Sequence, residues 1–215
     1  MPSRLIRLSL RFVLPLALVL DFLDGLFVTW RIGLRRTIGR ELVVRDLRVD
    51  GHVLHVDDVG MSYDSNEGAI QAMTKGVANS CSVMMPCAWV PGFVQYMKAH
   101  PGMDAGLHLT LNAEWKQYRW GPLAGKPAVP GLVDAEGAMW RSVPEVVQHA
   151  SPEEVDREIR AQLDRALGMG FQPTHLDSHM GTLQLRPEFF DVYLELAVDF
   201  GLPLRLSGAS SEQAV

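Results

Sequence analysis

From about residue 42 onward, short apolar runs alternate with longer segments in which apolar residues recur at helical spacing. The apolar runs predict strands at residues 52–57, 80–86, 104–112, 173–181 and 202–206. The segments between them predict helices at residues 66–80, 91–100, 151–170 and 187–201. Because strand and helix alternate, we predict an α/β fold in which helices cover a parallel sheet or barrel. Right-handed crossovers would place the carboxyl ends of the strands on one rim, where ligands bind in this architecture.

Two of the predicted helices carry local sequence signals. Ile70, Met73 and Val77 recur at helical spacing and predict the apolar stripe of the first helix. The third helix opens with a capping box, in which Ser151 is the N-cap and Glu154 is the residue that reaches back to it. These signals indicate which face of the first helix packs inward and where the third helix begins.

A long segment at residues 113–150 has no clear period and contains a stretch rich in glycine and proline, which predicts irregular structure. It holds several aromatic residues with an arginine among them: Trp115, Tyr118, Arg119, Trp120 and Trp140. Flat aromatic rings stack on sugar rings and arginine pairs with acidic groups, so this group is a candidate substrate-binding surface. The alternative is that these rings form the small apolar cluster that a long ordered loop requires.

The first 41 residues form a basic and apolar extension, so we divide the chain into segments 1–41 and 42–215. Arginines flank an apolar run in this extension, as in a segment that lies on a membrane surface. A spanning helix would place Asp21 and Asp24 inside the bilayer, at a cost of about 2.5–3.5 kcal/mol each. We therefore consider weak membrane association through residues 1–40 beside the simpler interpretation of an extension without a fixed structure.

Composition and charge narrow the function classes. The net charge of −5 and the lack of a lysine-rich patch give no reason to expect nucleic acid as a partner. Cys81 and Cys87 are too few for a disulfide framework, and we interpret both as buried thiols in a reducing compartment. We accordingly expect a cytoplasmic protein with one sizeable core.

Side chains suited to metal binding or acid–base chemistry lie at the carboxyl ends of three predicted strands. They are Asp57 and Asp58 after the first strand, His108 late in the third, and His175, Asp177 and His179 at the end of the fourth. Two histidines and a carboxylate are a common ligand set for a divalent metal such as zinc. Adjacent carboxylates are also easier to keep ionised beside a cation. The pattern therefore predicts a metal site on the rim.

Each of these motifs also has a structural interpretation. The aspartate pair could cap a turn before the next helix, and a histidine in an apolar strand is more often hydrogen-bonded in the core than a metal ligand. His175 and His179 could belong to a polar loop with an internal hydrogen bond to Asp177. A non-haem iron oxygenase shares the ligand set, but oxygen activation does not require the second aspartate. A phosphatase-type Asp-x-Asp motif is excluded, because Val59 and Gly60 follow the adjacent pair.

Three ordered motifs, HVDDVGMS, GLHLTLN and PTHLDSHMG, resemble those of the YdjC-like carbohydrate deacetylases, relatives of the enzymes that de-N-acetylate chito-oligosaccharides. The resemblance covers residues 52–206 and implies a barrel-like (β/α) fold related to the polysaccharide deacetylases. It also implies that Asp58, His108 and His179 bind one divalent ion, Mg²⁺ or Zn²⁺, and that Asp57 is the general base.

By the same resemblance, the chain is a hydrolase that uses metal-activated water to remove N-acetyl groups from an amino sugar or a glycan-like substrate. We expect Asp177 to orient one of the metal ligands without binding the ion itself. His175 is a candidate for the acid that supplies a proton. The chain departs from the family where Met180, Gly181 and Thr182 replace further histidines. It also ends before later strands and a histidine that resembles the general acid, so we expect an incomplete barrel. A homodimer could complete it; the alternative is an inactive relative that binds a metal, a sugar or another subunit.

Overall fold

The computed structural model describes residues 53–206, together with the backbone of two short strands before them. These strands, β1 (Ile32–Gly33) and β2 (Val43–Val44), pair antiparallel. Two predictions concern residues outside this description. They are the weak membrane association through residues 1–40 and the segment boundary at residue 41. Among the described residues, no helix is both long enough and apolar enough to span a bilayer.

Within residues 53–206, the main sheet has four parallel strands, and their spatial order follows their order along the chain. They are β3 (His55–Val59), β4 (Ser80–Val83), β5 (Ala105–Leu109) and β6 (Leu176–Ser178). Parallel strands joined by crossovers have all their carboxyl ends at one edge. The predicted α/β fold with a parallel sheet is therefore confirmed. The predicted strand at residues 202–206 is reduced to a single bridge between Leu204 and Leu176.

The described part of the chain also contains α-helices and short 3-10 helices. The α-helices are α1 (Tyr63–Thr74), α2 (Val90–Ala99), α3 (Val143–His149), α4 (Pro152–Gly168) and α5 (Pro187–Phe200). The 3-10 helices are Pro130–Leu132 and His179–Gln184. The capping box predicted for α4 is confirmed, because Ser151 Oγ accepts from the Glu154 N–H at 3.3 Å and the Ser151 N–H donates to Glu154 Oε2 at 2.8 Å.

Two details of the helix prediction are wrong. Helix α1 ends at Thr74, so Val77 lies beyond it and is 80% exposed instead of continuing the apolar stripe. Helix α3 occupies part of the segment for which no period is predicted. Its 7 residues are too few to show a helical period. The sequence feature that could have indicated this helix is its capping box, in which Glu145 Oε2 accepts from the Ser142 N–H at 2.9 Å.

The main hydrophobic core lies between the sheet and the helices. Strands β4 and β5 are buried along their whole length, as expected for central strands of a parallel sheet with both faces covered. Leu107 and Leu109 of β5 belong to the same buried cluster as Ile159 and Leu163 of α4. Burial of each such side chain contributes about 1.5–3 kcal/mol relative to an exposed position. This packing holds the strands whose ends carry the polar residues.

Polar side chains connect the two edge strands of this sheet. His55 Nε2 in β3 lies 3.8 Å from Asp177 Oδ2 in β6, and Arg205 contacts both Asp57 and Asp177. The edge strands of a flat four-stranded sheet would lie about 14 Å apart. The sheet is therefore strongly curved, as a barrel-like fold requires.

Candidate metal centre

A cleft with a volume of about 340 Å³ opens at the carboxyl ends of the parallel strands. The residues that line it include Asp57, Asp58, His108, Asp177, His179 and Arg205. Apart from Arg205, these are residues that the sequence predicts for the rim. Parallel topology explains their meeting, because Asp57, Asp58, His108, Asp177 and His179 lie within or directly after strands of the same sheet.

Three of these side chains converge on a single point. Asp58 Oδ1 lies 3.3 Å from His108 Nε2 and 3.2 Å from His179 Nδ1, and the two ring nitrogens are 3.2 Å apart. Ligands at about 2.0–2.2 Å from a tetrahedral ion are separated by about 3.3–3.6 Å. Octahedral ligands at about 2.1 Å are separated by about 3.0 Å. The observed spacing therefore fits one divalent ion, with the three donors on one side of it.

The surroundings of Asp58 support this fit. Its Oδ1 atom is buried without a well-aligned hydrogen-bond donor among the described residues, although the whole side chain is 39% exposed. A buried carboxylate oxygen in that state is favourable when a cation lies beside it. Both histidines are almost completely buried, so their ring orientations are fixed by packing. The donor set, the spacing and the burial all suit a divalent metal.

Asp58 adopts an unusual backbone conformation, with φ 61°, in the left-handed region. Such a conformation costs a non-glycine residue about 1–3 kcal/mol unless its surroundings hold it. Here Asn66 secures the irregular end of β3, because its Oδ1 accepts from the Gly60 N–H at 2.8 Å and its Nδ2 donates to the Trp89 carbonyl at 2.9 Å. Backbone strain therefore coincides with the residue that completes the ligand set.

Each histidine of the ligand set has a carboxylate on its other ring nitrogen. His108 Nδ1 lies 2.8 Å from Asp177 Oδ2, and His179 Nε2 lies 3.1 Å from Glu114 Oε2. Such partners fix the ring orientation and determine which nitrogen is free to bind a metal. Asp177, for which the sequence predicts an orienting role, lies behind the His108 ring. Glu114 is not predicted from the sequence, because a carboxylate in an irregular segment carries no signal of what it faces.

The electrostatics of the metal-free site favour positive charge. Burial opposes protonation of His108, but the carboxylates of Asp177 and Asp58 outweigh it and raise the pKa of His108 to about 9. Burial would likewise raise the pKa of Asp58, but the His108 and His179 rings, whose nitrogens lie 3.3 Å and 3.2 Å from its Oδ1, hold it well below its ordinary value. Burial would also raise the pKa of Glu114, but its hydrogen bond with His179 outweighs burial and lowers that pKa. The carboxylates are therefore ionised at neutral pH and attract a cation.

Asp57 points to a different partner from Asp58. Its two carboxylate oxygens accept hydrogen bonds from Arg205, from Nη1 at 2.6 Å and from Nη2 at 3.2 Å. Arg205 Nη1 also lies 2.9 Å from Asp177 Oδ2. Sequence reasoning missed Arg205, although it belongs to the predicted strand at residues 202–206, whose carboxyl end should lie on the same rim.

A buried polar network lies beside this ion pair. His55 Nε2 is 3.0 Å from Ser82 Oγ, and the Ser82 hydroxyl donates to Asp177 Oδ2 at 3.0 Å. Burial, together with the charges of Arg205 and His175, lowers the pKa of His55 to about 4, so the ring is neutral. The sequence gives no metal-ligand pattern for His55. Its ring lies close to Asp57 and Asp177 in a second group of possible metal donors, but the Arg205 guanidinium contacts both of these carboxylates and supplies a positive charge there.

His175 lies away from the cleft. Its ring centroid is 5.2 Å from that of His55, and a Cβ at Gly106 would lie 2.4 Å from its ring. Its Nδ1 is 2.9 Å from the Thr174 hydroxyl. His175 is also 5% exposed. The structure therefore gives His175 a packing position and not the position of an acid that faces substrate.

The aromatic segment divides into two groups. Trp120 and Trp140 are held inside the segment, where their indole N–H groups donate to the carbonyls of Asn112 at 3.0 Å and Gly131 at 2.7 Å. Arg119 Nη2 pairs with Asp134 Oδ2 at 2.7 Å and so closes the same segment. For these three residues, the geometry matches the alternative in which the segment builds its own small cluster.

Trp115 and Tyr118 form the second group and remain accessible. Trp115 is 52% exposed and Tyr118 is 37% exposed. The Tyr118 hydroxyl donates to the Met61 carbonyl at 2.6 Å, and the Met61 N–H donates to the Asp58 carbonyl. Tyr118 therefore lies next to the loop that carries a residue of the ligand set.

Comparison with known proteins gives a consistent family. The YdjC-like protein family matches residues 53–214. A carbohydrate deacetylase from Thermus thermophilus is 39% identical over 150 residues, which are 70% of this chain and 51% of that protein. A carbohydrate deacetylase from Brevibacillus brevis is 33% identical over 71% of this chain and 58% of its own length. A chitooligosaccharide deacetylase from Yersinia enterocolitica is 28% identical over 75% of this chain and 61% of its own length.

A solved structure is also similar. A protein of Enterococcus faecalis V583, described as a cellobiose-phosphate cleavage protein, superposes with a TM-score of 0.68 at 28% sequence identity. The match covers 75% of this chain and 60% of that protein. The chain thus spans between about half and three fifths of the length of these relatives. The match over residues 53–214 includes every residue of the cleft, and the chain belongs to the YdjC-like family.

Proposed function

We propose that this chain is a metal-dependent hydrolase that removes N-acetyl groups from an amino sugar or a glycan-like substrate. The observation that carries the proposal is the division of the aspartate pair. Asp58 completes a set of three donors with His108 and His179. Asp57 lines the same cleft but lies in a separate group with His55 and Asp177, where it pairs with Arg205. The relatives named carbohydrate deacetylase and chitooligosaccharide deacetylase support the same reaction class.

Asp58, His108 and His179 would hold the ion. Imidazole and carboxylate donors suit Zn²⁺, and the carboxylate also suits Mg²⁺. When bound, such an ion lowers the pKa of a water molecule and polarises an amide carbonyl. Asp177 and Glu114 would keep the two imidazole rings aimed at the ion from the far side.

Asp57 would be the general base. Its side chain is 43% exposed, so a water molecule in the cleft can approach its oxygens. Arg205 binds both oxygens and fixes the direction of the carboxylate, while each oxygen keeps a further lone pair that can accept a proton. Proton transfer to a positioned side chain contributes about 10²–10⁴-fold to the rate of such reactions.

The departing amine requires a proton. Because His175 lies away from the cleft, we assign this step as well to Asp57, which holds the proton it has taken from water. One carboxylate can act in this way if it faces both the attacking water and the leaving nitrogen. Its exposed position at the cleft is compatible with that requirement.

The test is acetate release from N-acetylated chito-oligosaccharides by the purified chain supplied with Zn²⁺ or Mg²⁺. We expect Asp57→Asn to retain metal and to release acetate about 10²–10⁴-fold more slowly. Asp64→Asn is the matched control, because Asp64 is an exposed carboxylate in α1. A metal-loaded wild type that releases no acetate would favour the alternative of an inactive relative that binds a metal or a sugar.

A further inference from the structure

We propose that Glu114 and Asn112 form a positioning clamp that holds His179 in its metal-binding orientation before any ion is bound. The inference deepens the proposed function and depends on its metal site. Neither residue belongs to the three-donor set. Both lie a short distance after the end of β5 at Leu109, so the clamp connects this part of the chain to the kinked turn that opens the segment His179–Gln184.

The first observation is the position of Glu114 relative to the imidazole ring of His179. His179 Nδ1 faces the other two donors, at 3.2 Å from Asp58 Oδ1 and 3.2 Å from His108 Nε2. Its Nε2 faces Glu114 Oε2 at 3.1 Å. Glu114 therefore lies across the ring from the ion position and contacts the nitrogen that a metal would not use. If that nitrogen carries the hydrogen, Nδ1 presents its lone pair to the site.

The second observation is the set of contacts made by Asn112, which is completely buried. Its Nδ2 lies 3.3 Å from Glu114 Oε2 and 3.0 Å from Met180 Sδ. Its Oδ1 accepts from the Thr182 hydroxyl at 3.4 Å. One side chain thus contacts both the carboxylate that binds His179 and the residues that immediately follow His179.

The third observation is that this turn is strained. Met180 has φ 51° and Gly181 has φ 68°, so two successive residues lie in the left-handed region. Methionine rarely adopts this conformation, and strained residues persist when surrounding contacts hold them. The contacts of Asn112 with Met180 and Thr182 supply such a constraint on the residues after His179.

The consequence concerns metal affinity. A partner on the outer nitrogen of a metal-binding histidine typically contributes about 10–100-fold to affinity. We expect Glu114→Ala to weaken Zn²⁺ binding within this range, since His179 loses its orientation. Glu114→Gln keeps an acceptor oxygen but loses the charge, so we expect it to bind with intermediate affinity. Asn112→Ala should weaken binding through the turn without removing the carboxylate.

The experiment is a Zn²⁺ titration of the full chain by calorimetry, followed by NMR of the zinc-loaded protein with ¹⁵N-labelled histidine. Glu136→Ala is the matched control, because Glu136 is a carboxylate of the same segment with a side chain 67% exposed, paired with Arg119 and Arg141. We expect the His179 Nε2–H signal to broaden or disappear in Glu114→Ala. The His108 Nδ1–H signal, which depends on Asp177, should persist.

The outcomes separate the clamp from the metal site itself. A wild type that binds no Zn²⁺ would overturn both the proposed function and the clamp. A wild type that binds Zn²⁺ while Glu114→Ala binds within twofold of it would overturn the clamp alone. Loss of both histidine signals in Glu114→Gln would also overturn it, because that result indicates a general structural disturbance. Selective loss at His179 with weakened binding supports the clamp.

Discussion

Asp57 and Arg205, separated by 148 positions in the chain, form a two-point ion pair, with Nη1–Oδ1 at 2.6 Å and Nη2–Oδ2 at 3.2 Å. The neighbouring Asp58 instead faces His108 and His179. Two adjacent carboxylates therefore have separate partners, and their different positions support separate roles. The Arg205 guanidinium holds Asp57 beside the cleft, and Asp58 belongs to the candidate metal-ligand set.

The ion pair gives the first prediction. Arg205→Ala should lower the rate of acetate release by about 10²-fold, since a base that loses its orientation loses much of the contribution of positioned proton transfer. Bound metal should be retained, because the Arg205 contacts with Asp57 and Asp177 involve residues outside the set of three donors. Kinetics at saturating substrate and elemental analysis check the two parts.

A suitable control for that variant is Arg160→Ala, which removes a half-exposed arginine of α4 that pairs with Asp156 and Asp199. It should leave the rate unchanged. If Arg205→Ala lost its metal together with its activity, the separation of roles between Asp57 and Asp58 would be contradicted.

Metal binding should depend on pH in a definite direction. In the metal-free protein the pKa of His108 is raised to about 9, so at pH 7 this ring carries a proton on the nitrogen that a metal would use. A metal must displace that proton, so affinity for Zn²⁺ should rise as the pH is increased from 6 towards 9. Calorimetry in buffers of different ionisation enthalpy should detect release of at least about one proton per ion at pH 7, since the pKa of His179 is raised as well. Affinity that is constant over this window would contradict the raised pKa.

The stability of the metal-free chain should change with pH in the opposite direction. Folding raises the pKa of His108 from 6.5 to about 9, and that of His179 is also raised. A histidine whose pKa is raised on folding stabilises the folded state fully when the pH is below its pKa in the unfolded chain. This stabilisation is lost as the pH rises through its pKa in the folded protein. The Tm measured in chelator should therefore fall between pH 6.5 and 9. His108→Asn should show a smaller fall, and an equal fall in both proteins would contradict this assignment.

Gly60 provides a test of the irregular end of β3, which carries Asp58. Its φ of 91° and the 2.6 Å separation between an added Cβ and Val90 Cγ2 predict that Gly60→Ala lowers the free energy of unfolding by more than about 1 kcal/mol. Gly68→Ala is the control, because an added Cβ there meets no atom within 4 Å. In helix α1 this change should stabilise the protein by about 0.5–1 kcal/mol. Denaturant unfolding measures both, and equal effects would contradict the steric argument.

The sequence predicts the parallel α/β fold and the strand ends of the site because both depend on regular patterns. Asp57, Asp58 and His108 lie in or at the end of apolar runs that form strands, and parallel topology then places them on one edge. His179 follows the shortest of these strands and opens a 3-10 helix, yet it still reaches the same cleft.

Other features of the site depend on long-range contacts that no local pattern encodes. Glu114 lies in a segment without periodicity, and its partner His179 is 65 positions away. Arg205 belongs to a run that forms a single bridge instead of a strand, and its ion pair with Asp57, 148 positions away, is not specified by that run. The aromatic segment is ambiguous for a related reason: burial of Trp120 and exposure of Trp115 depend on how the segment folds back on itself.

The most direct test of the metal centre is the bound-metal content of the purified chain, wild type against His108→Ala, by elemental analysis after dialysis. The geometry of Asp58, His108 and His179 predicts about one divalent ion per wild-type chain and loss of that ion in the variant. A folded wild type that retains no divalent metal, or a variant that retains as much as the wild type, would contradict the proposed centre.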